Sequence, residues 1–257
     1  MLESVEGRVV WVTGAGSGIG RAVAAAFAAG GAKVALTGRR TDALAETERM
    51  IAQAGGTAVA APADVSDQAA VADAHGAVVA AFGPVDILVN NAGLNAKRRH
   101  WKDLSAADAA AVVDANLKGP LFCTLAVLPA MRERRRGLII HVASFAATGT
   151  FLVSGPTYTA SKTGHRALSA TINAEEGIHG IRSVCINPGE VATDILLSRP
   201  APPSPAERAI MVQPEDIAEA ALFAARLPAR ACVSDMTVTP TDNNAFRADA
   251  RAIEALP

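Results

Sequence analysis

Short apolar runs alternate along the chain with longer segments that are rich in alanine and charged residues. The runs contain many valines and isoleucines, a composition that is typical of strands buried on both faces of a sheet. Alternation of such strands with helices predicts an α/β fold with a doubly wound parallel sheet of about seven strands flanked by helices. The predicted strands cover residues 9–12, 33–37, 57–61, 85–89, 137–143, 181–186 and 236–239.

The segments between these strands carry the start and stop signals of helices. Thr41 is the predicted N-cap of the second helix, which ends at Gly55 and Gly56. Pro214 stands at the start of the last helix, where its missing N–H costs least. Prolines exclude a continuous helix over residues 195–211. The predicted helices cover residues 22–29, 41–54, 66–82, 105–131, 158–177 and 214–227.

Gly14, Gly16, Gly18 and Gly20 follow the first predicted strand and precede the first predicted helix. A strand, a glycine turn and a helix in this order present backbone N–H groups to a phosphate at the helix N-terminus. Glycine is needed because a Cβ would block the turn or hold a pyrophosphate away from the backbone. The spacing from Thr13 is T-G-x-x-x-G-x-G, and it predicts a Rossmann-like dinucleotide site.

The overall composition narrows the classes of partner. The chain has 257 residues and a net charge of −1, which gives no support for a nucleic-acid or anionic membrane partner. Cys123, Cys185 and Cys232 form no C-x-x-C pair, so reduced, buried thiols are expected, with neither zinc nor disulfides. No signal peptide is visible, and glycine or charge interrupts the apolar runs before they reach membrane-span length. We therefore expect a cytoplasmic protein.

The residues after the second predicted strand bear on which dinucleotide is bound. This position lies beside the adenosine ribose, roughly 20 residues past the glycines. The chain has Gly38, Arg39 and Arg40 there and no acidic residue that would repel a 2′-phosphate. A guanidinium binds phosphate bidentately and stacks on adenine, which favours NADP over NAD. The alternative is that Arg39 and Arg40 form a solvated loop pair, and NAD then stays possible.

A second motif follows the fourth predicted strand. Asn90, Asn91, Ala92 and Gly93 stand at the carboxyl end of a central strand, where open α/β sheets bind ligands. Together with the glycine turn, this N-N-A-G sequence resembles the short-chain dehydrogenase/reductase family over almost the whole chain. The resemblance implies hydride transfer between a nicotinamide cofactor and a secondary alcohol or ketone.

The family's catalytic residues have counterparts in this chain. Tyr158 and Lys162 form a Y-x-x-x-K pair, which falls on one face of a helix. A tyrosine has a pKa near ~10, and a cation held beside it favours the phenolate. By resemblance, Tyr158 exchanges a proton with the substrate oxygen and Ser144 hydrogen-bonds that oxygen. Lys162 would assist Tyr158 and bind the nicotinamide ribose, and Asn116 would hold a water in the proton relay.

The resemblance also implies the cofactor contacts. Asp64 and the N–H of Val65 would bind the adenine amino group, and the Pro188–Gly189 turn would lie near the nicotinamide. Thr193 would hold the carboxamide, although it could equally be an N-cap. No metal is predicted. The predicted cofactor-binding residues are Gly14, Gly16, Ser17, Gly18, Ile19, Gly20, Arg39, Arg40, Asp64, Val65, Asn91, Ala92, Gly93, Tyr158, Lys162, Pro188, Gly189, Val191 and Thr193.

The substrate is less well defined, because its pocket is expected on irregular loops. Residues 190–212 stand where the family has a mobile lid. A basic stretch after the fourth strand could attract a carboxylate or phosphate, or it could be a solvated charge run. That stretch is Lys97, Arg98, Arg99 and His100, and the other candidate lining residues are Leu94, Asn95, Phe145, Phe151, Glu190 and Leu196.

The C-terminal part departs from many family members. It reads T-P-T-D-N-N from Thr239, without a glycine-rich stretch, and looks closer to NADP-dependent β-hydroxy acid dehydrogenases. A 3-oxoacyl reductase and an NAD-linked alcohol dehydrogenase are alternatives, and a non-catalytic nucleotide sensor or an epimerase ranks lower. The family implies a homodimer or homotetramer, and the tail at 246–257 could cover a neighbouring cleft or fray. His141, inside the fifth strand, is expected to be buried and hydrogen-bonded.

Overall fold

The computed structural model describes residues 2–198, 202–243 and 253. Within this part, the chain forms one seven-stranded sheet in which every neighbouring pair is parallel. The strands are β1 (Val9–Thr13), β2 (Lys33–Thr37), β3 (Thr57–Ala60), β4 (Ile87–Asn90), β5 (Gly137–Val142), β6 (Ile181–Pro188) and β7 (Asp235–Val238). Their order is β3-β2-β1-β4-β5-β6-β7, which confirms the predicted doubly wound sheet.

Helices connect successive strands and cover both faces of the sheet. The structure corrects the predicted cap of the second helix: Arg40 is the N-cap, and Thr41 is the first helical residue. The Leu44 N–H donates to the Arg40 carbonyl at 3.1 Å, which draws Thr41 into the first turn. The helices are α1 (Gly18–Ala29), α2 (Thr41–Gln53), α3 (Gln68–Phe82), α4 (Ala106–Val113), α5 (Gly119–Arg134), α6 (Pro156–Glu176), α7 (Pro205–Ala209) and α8 (Pro214–Arg226).

A π-helical turn at Asp114–Lys118 joins α4 to α5, and the sequence pattern did not predict it. The resulting segment, Ala106–Arg134, is long and apolar enough to cross a membrane by length and composition alone. The expectation that no apolar segment reaches that length was therefore wrong. The segment carries buried Cys123 and Met131 within a core cluster, as expected for a helix packed on a sheet.

The core consists of two apolar layers, one on each face of the sheet. Successive side chains of β1 point to opposite faces, so Val10 and Val12 join one layer and Val9 and Trp11 the other. Trp11 is fully buried, and its indole Nε1 donates to Thr37 Oγ1 at 2.8 Å. Because all strands are parallel, their carboxyl ends meet along one edge, and the loops that follow them form one cleft there.

The cysteines are free thiols in the described part of the chain. Cys123 and Cys185 are buried, as predicted, whereas Cys232 is exposed. Burial raises the pKa of Cys123 to about 12, so this thiol stays protonated at neutral pH. Among the described residues, no group of three or more histidine, cysteine or acidic side chains has the arrangement of a metal site.

Candidate active site

A cleft of about 620 Å³ runs along the carboxyl edge of the sheet. Most of the predicted site residues lie in its wall, although they come from distant parts of the sequence. Gly20 and Asn116 are the two exceptions, and both are buried behind the wall. The predicted residues that line the cleft are Gly14, Gly16, Ser17, Gly18, Ile19, Arg39, Arg40, Asp64, Val65, Asn91, Ala92, Gly93, Ser144, Tyr158, Lys162, Pro188, Gly189, Val191 and Thr193.

The glycine turn is shaped by very close backbone packing. Gly14 and Gly18 have positive φ angles of 66° and 51°, which favour glycine. A Cβ on Gly20 would lie 2.2 Å from the Gly14 carbonyl oxygen and 2.5 Å from Asn91 Nδ2. Gly20 therefore permits close packing within the turn and does not face the cleft.

The start of α1 fits the phosphates of a dinucleotide. Its N-cap, Ser17, has an extended backbone, and its side chain makes no capping hydrogen bond to the helix. The first amides of α1 are therefore not capped by Ser17, and the turn before them lines the cleft. A Cβ on Gly18 would lie 3.0 Å from Thr193 Cγ2, so the loop after β6 reaches the same turn.

Hydrogen bonds join the two sequence motifs into one network. Asn91 Nδ2 donates to the carbonyl oxygens of Thr13 and Gly14 at 3.0 and 3.3 Å. Thr13 Oγ1 accepts from the backbone N–H groups of Asn91 and Ala92 at 3.0 and 3.1 Å. The N-N-A-G segment thus holds the glycine turn in place, and the polar groups of both are used by each other.

Charged side chains surround the cleft near the end of β2. The Arg39 guanidinium lies 3.9 Å from an Asp64 carboxylate oxygen and is largely exposed, and Arg40 donates to Ser17 Oγ at 3.1 Å. Asp64 Oδ1 accepts from Ser66 N and Oγ at 3.0 and 2.7 Å. Partial burial raises the pKa of Asp64, but the Ser66 hydrogen bonds and the Arg39 charge outweigh it and hold this pKa below its usual value.

Tyr158 and Lys162 lie one turn apart on α6, and both face the cleft. Lys162 is only 3% exposed, and its Nζ donates to the Val142 carbonyl at 2.9 Å. The same Nζ lies 5.9 Å from the centre of the Tyr158 ring. Burial lowers the pKa of Lys162 to about 8, so the side chain remains mainly cationic at neutral pH.

Ser144 follows β5 and also lines the cleft. Its Oγ accepts from the Ala146 N–H at 3.1 Å, which starts a short 3₁₀ turn. The hydroxyl can still donate, since an O–H group has one proton and two lone pairs. A substrate carbonyl oxygen in the cleft is a suitable acceptor for that proton.

Asn116 acts from behind the cleft. Its side chain is fully buried: Oδ1 accepts from Leu94 N at 2.8 Å, and Nδ2 donates to Leu94 O and Ser161 Oγ at 2.9 and 3.3 Å. The side chain therefore ties the loop after β4 to α6. Asn116 lies in the π-helical turn, a distortion that recurs at functional sites. A Cβ on Gly93 would lie 3.1 Å from Asn116 Oδ1 and 3.4 Å from Lys162 Nζ, which places the three residues together.

Two buried histidines lie beneath the catalytic residues. His141 of β5 and His165 of α6 meet edge to face, with ring centres 4.6 Å apart. None of their ring nitrogens has a hydrogen-bond partner in the described part of the chain, which corrects the expectation for His141. Burial lowers the pKa of His141 to about 3 and that of His165 well below its usual value. Both rings are therefore neutral in the folded protein.

The candidate substrate-lining residues divide into two groups. Leu94, Asn95, Glu190 and Leu196 line the cleft as predicted. The Phe145 and Phe151 rings are not in its wall; they pack on each other at 4.7 Å between centres. Of the basic stretch at 97–100, Arg99 is the member that lines the cleft, and the other three are exposed.

Sequence reasoning missed two functional contacts. The Val142 carbonyl, which accepts from Lys162, carries no side-chain signal, because any residue offers the same group. Ser66 was noted only as the start of a helix, although D-x-S is the sequence pattern of an Asx turn and indicates its bonds to Asp64.

The strand order, the glycine turn and the cleft at the switch between β1 and β4 define an α/β protein of the Rossmann type. The profile of the short chain dehydrogenase family matches residues 8–202. The chain belongs to this family of oxidoreductases.

Known relatives agree with this assignment. An uncharacterized oxidoreductase of Staphylococcus aureus strain N315 is 34% identical over 91% of this chain and 97% of its own length. A glycine betaine reductase of Emericella nidulans is 33% identical over 93% of this chain, which spans 19% of that longer protein. A metagenomic short-chain oxidoreductase, solved in complex with NADP, is 33% identical with a TM-score of 0.81, covering 93% of this chain and 99% of its own. These comparisons do not support the finer resemblance to β-hydroxy acid dehydrogenases.

Proposed function

We propose that this protein is an NADP-dependent oxidoreductase that interconverts a secondary alcohol and a ketone. The observation that carries the proposal is the buried Lys162 cation one helical turn from Tyr158, in the wall of the cleft. NADP, when bound, supplies or accepts the hydride. The chain's own residues position the two reactants and move the accompanying proton.

Each catalytic side chain has a separate task in this proposal. Tyr158 donates its phenolic proton to the carbonyl oxygen during reduction and takes it back during oxidation. The Lys162 charge stabilises the phenolate that remains, because an opposite charge nearby favours the ionised form. Ser144 donates a hydrogen bond to the same substrate oxygen, where negative charge develops. Asn116 holds the loop after β4 and the π-helical turn in position beside Lys162.

The preference for NADP rests on the basic residues after β2. Arg39 lines the cleft next to Gly38, which leaves room for a ribose phosphate. Asp64 lies 3.9 Å from Arg39, but its hydrogen bonds are with Ser66, so Arg39 has donors available for a 2′-phosphate. The NADP bound in the metagenomic relative supports the same assignment.

The finer expectations belong to the same proposal. The bridge between Val191 and Val212 brings together the ends of the proposed lid at 190–212, whose residues 199–201 are outside the described part. The predicted tail at 246–257 also lies outside it, apart from residue 253. A β-hydroxy acid substrate, a homodimer or homotetramer and a cytoplasmic location remain predictions from the sequence.

A kinetic test uses the absorbance of NADPH with a panel of ketones. We expect wild-type turnover with NADPH, and a loss of roughly 100-fold or more in kcat for Tyr158→Phe. NADPH binding, followed by nicotinamide fluorescence, should be unchanged in this variant. Thr163→Ala, at an exposed position of α6, is the matched control and should keep full activity. Unaltered turnover in Tyr158→Phe would contradict the proposed function.

A further inference from the structure

One arginine lies in the wall of the cleft on the loop that borders Tyr158. Arg99 is 6% exposed, whereas its neighbours Lys97, Arg98 and His100 are exposed. The loop therefore turns a single cationic side chain of this basic stretch inwards. Surface arginines normally keep their charged group in water, so this burial needs a reason.

The position of Arg99 is fixed by the start of α6. Gly155 has a φ of 76°, and a Cβ there would lie 2.3 Å from the Arg99 carbonyl oxygen and 3.0 Å from Arg99 Cβ. Only glycine permits this approach of the two backbones. Asn95 Nδ2 donates to the Ser154 carbonyl at 2.9 Å and adds a second tie between the same segments. Since Tyr158 follows Gly155 by three residues, Arg99 is held about one helical turn from the catalytic tyrosine.

The surroundings of Arg99 favour a ligand with one negative charge. The guanidinium keeps its positive charge even when buried, and its planar fork of donors matches a carboxylate. The cleft wall at this end also contains the apolar side chains of Leu94, Val153 and Leu196, which exclude water from such a pair. Glu190 and Asp194 line the same region, and they disfavour a doubly charged phosphate.

We propose that Arg99 binds a carboxylate on the substrate, so that the preferred substrates are keto acids and the corresponding hydroxy acids. This inference rests on the proposed function, because it places the carboxylate beside the carbonyl group that Ser144 and Tyr158 hold. Arg99 is then a specificity-determining residue, and its ion pair orients the substrate for proton transfer from Tyr158.

The test compares acids with their methyl esters, which differ in charge at the proposed contact. The probes are pyruvate, acetoacetate and levulinate, each beside its methyl ester, with NADPH as reductant. We expect wild-type kcat/KM to be at least roughly tenfold higher for one acid than for its ester. In Arg99→Gln this ratio should fall towards one through a rise in KM for the acid. Arg98→Gln, the exposed neighbour, should keep the wild-type ratio.

Other outcomes would overturn the inference. A wild-type enzyme that reduces neutral ketones or the esters without a preference for any acid contradicts it, and this result needs no variant. Equal losses for acid and ester in Arg99→Gln, with unchanged NADPH binding, would show that Arg99 only supports the loop. A wild-type enzyme that reduces no carbonyl compound with NADPH would instead contradict the proposed function.

Discussion

The two halves of the sheet treat their buried polar groups differently. Before Asn90, every buried side-chain nitrogen or oxygen in the described part has a hydrogen-bond partner, as in the chain from Trp11 through Thr37 to the Ala61 carbonyl. From Asn90 onwards this is no longer so. Asn90 Oδ1, Thr157 Oγ1 and all ring nitrogens of His141 and His165 lack partners among the described residues.

This difference parallels the proposed division of labour in the cleft. The half built on β1, β2 and β3 has one task, to hold a dinucleotide, and a closed polar network keeps it rigid. The half built on β4, β5 and β6 carries the proton chemistry on side chains whose burial lowers the pKa of Lys162 to about 8. Buried groups without partners cost stability, and proteins tolerate that cost mainly at functional sites.

The largest effect is expected from a substitution that breaks the rigid half. In Gly20→Ala, the new Cβ would lie 2.2 Å from the Gly14 carbonyl oxygen, and neither backbone segment can move without opening the glycine turn. We expect a loss of ~3 kcal/mol or more in unfolding free energy, together with loss of NADPH binding. Urea denaturation and fluorescence titration measure the two effects.

Gly76→Ala is the matched control for that experiment. Gly76 lies in α3 with nothing within 4 Å of the added Cβ, so alanine should be neutral or stabilise the helix by up to ~1 kcal/mol. If Gly20→Ala behaved like Gly76→Ala, the close packing of the turn would not be what fixes this half.

A smaller effect is expected from the histidines of the catalytic half. Burial lowers the pKa of His141 to about 3, whereas the unfolded chain binds a proton near pH 6.5. The unfolded state therefore gains protons first, and stability falls as the pH drops from about 6.5 towards 3. At pH 5 each buried histidine should cost ~2 kcal/mol relative to pH 7.

The variant His165→Leu tests this pH dependence. It should lose less stability than the wild type between pH 7 and pH 5, by ~2 kcal/mol in chemical denaturation. His100→Gln, which replaces an exposed histidine, should follow the wild-type curve. A wild-type stability that does not change over this range would show that the pair is not buried and neutral.

The smallest of the three effects concerns cofactor choice. Arg39→Ala should weaken NADPH binding about tenfold and leave NADH binding almost unchanged, because one charge-assisted contact to the 2′-phosphate is lost. Fluorescence titration with both nucleotides measures the ratio. Arg49→Ala, which removes an exposed arginine from α2, should change neither affinity. Equal weakening of both nucleotides by Arg39→Ala would instead assign Arg39 to a general role, such as its contact with Asp64.

The two halves also differ in how well the sequence predicts them. The first half is encoded by neighbours in sequence: a buried strand, a glycine turn and a helix specify their own geometry through backbone sterics. The predicted β2 agrees with the structure at both ends, and the residues of the glycine turn line the cleft or pack directly behind it. The predicted start of α1 at residue 22 was late, because the glycines at 18 and 20 already belong to the helix.

The sequence by itself determined the parallel sheet, the glycine turn and the positions of Ser144, Tyr158 and Lys162, because each depends on local periodicity or on a short motif. Only the tertiary structure decided that Arg99 turns inwards while Arg98 remains exposed. It also decided that Phe145 packs on Phe151 outside the cleft wall and that His141 meets His165. Each of these outcomes depends on contacts between segments that are not adjacent in sequence or on the packing of an irregular loop, which periodicity does not encode.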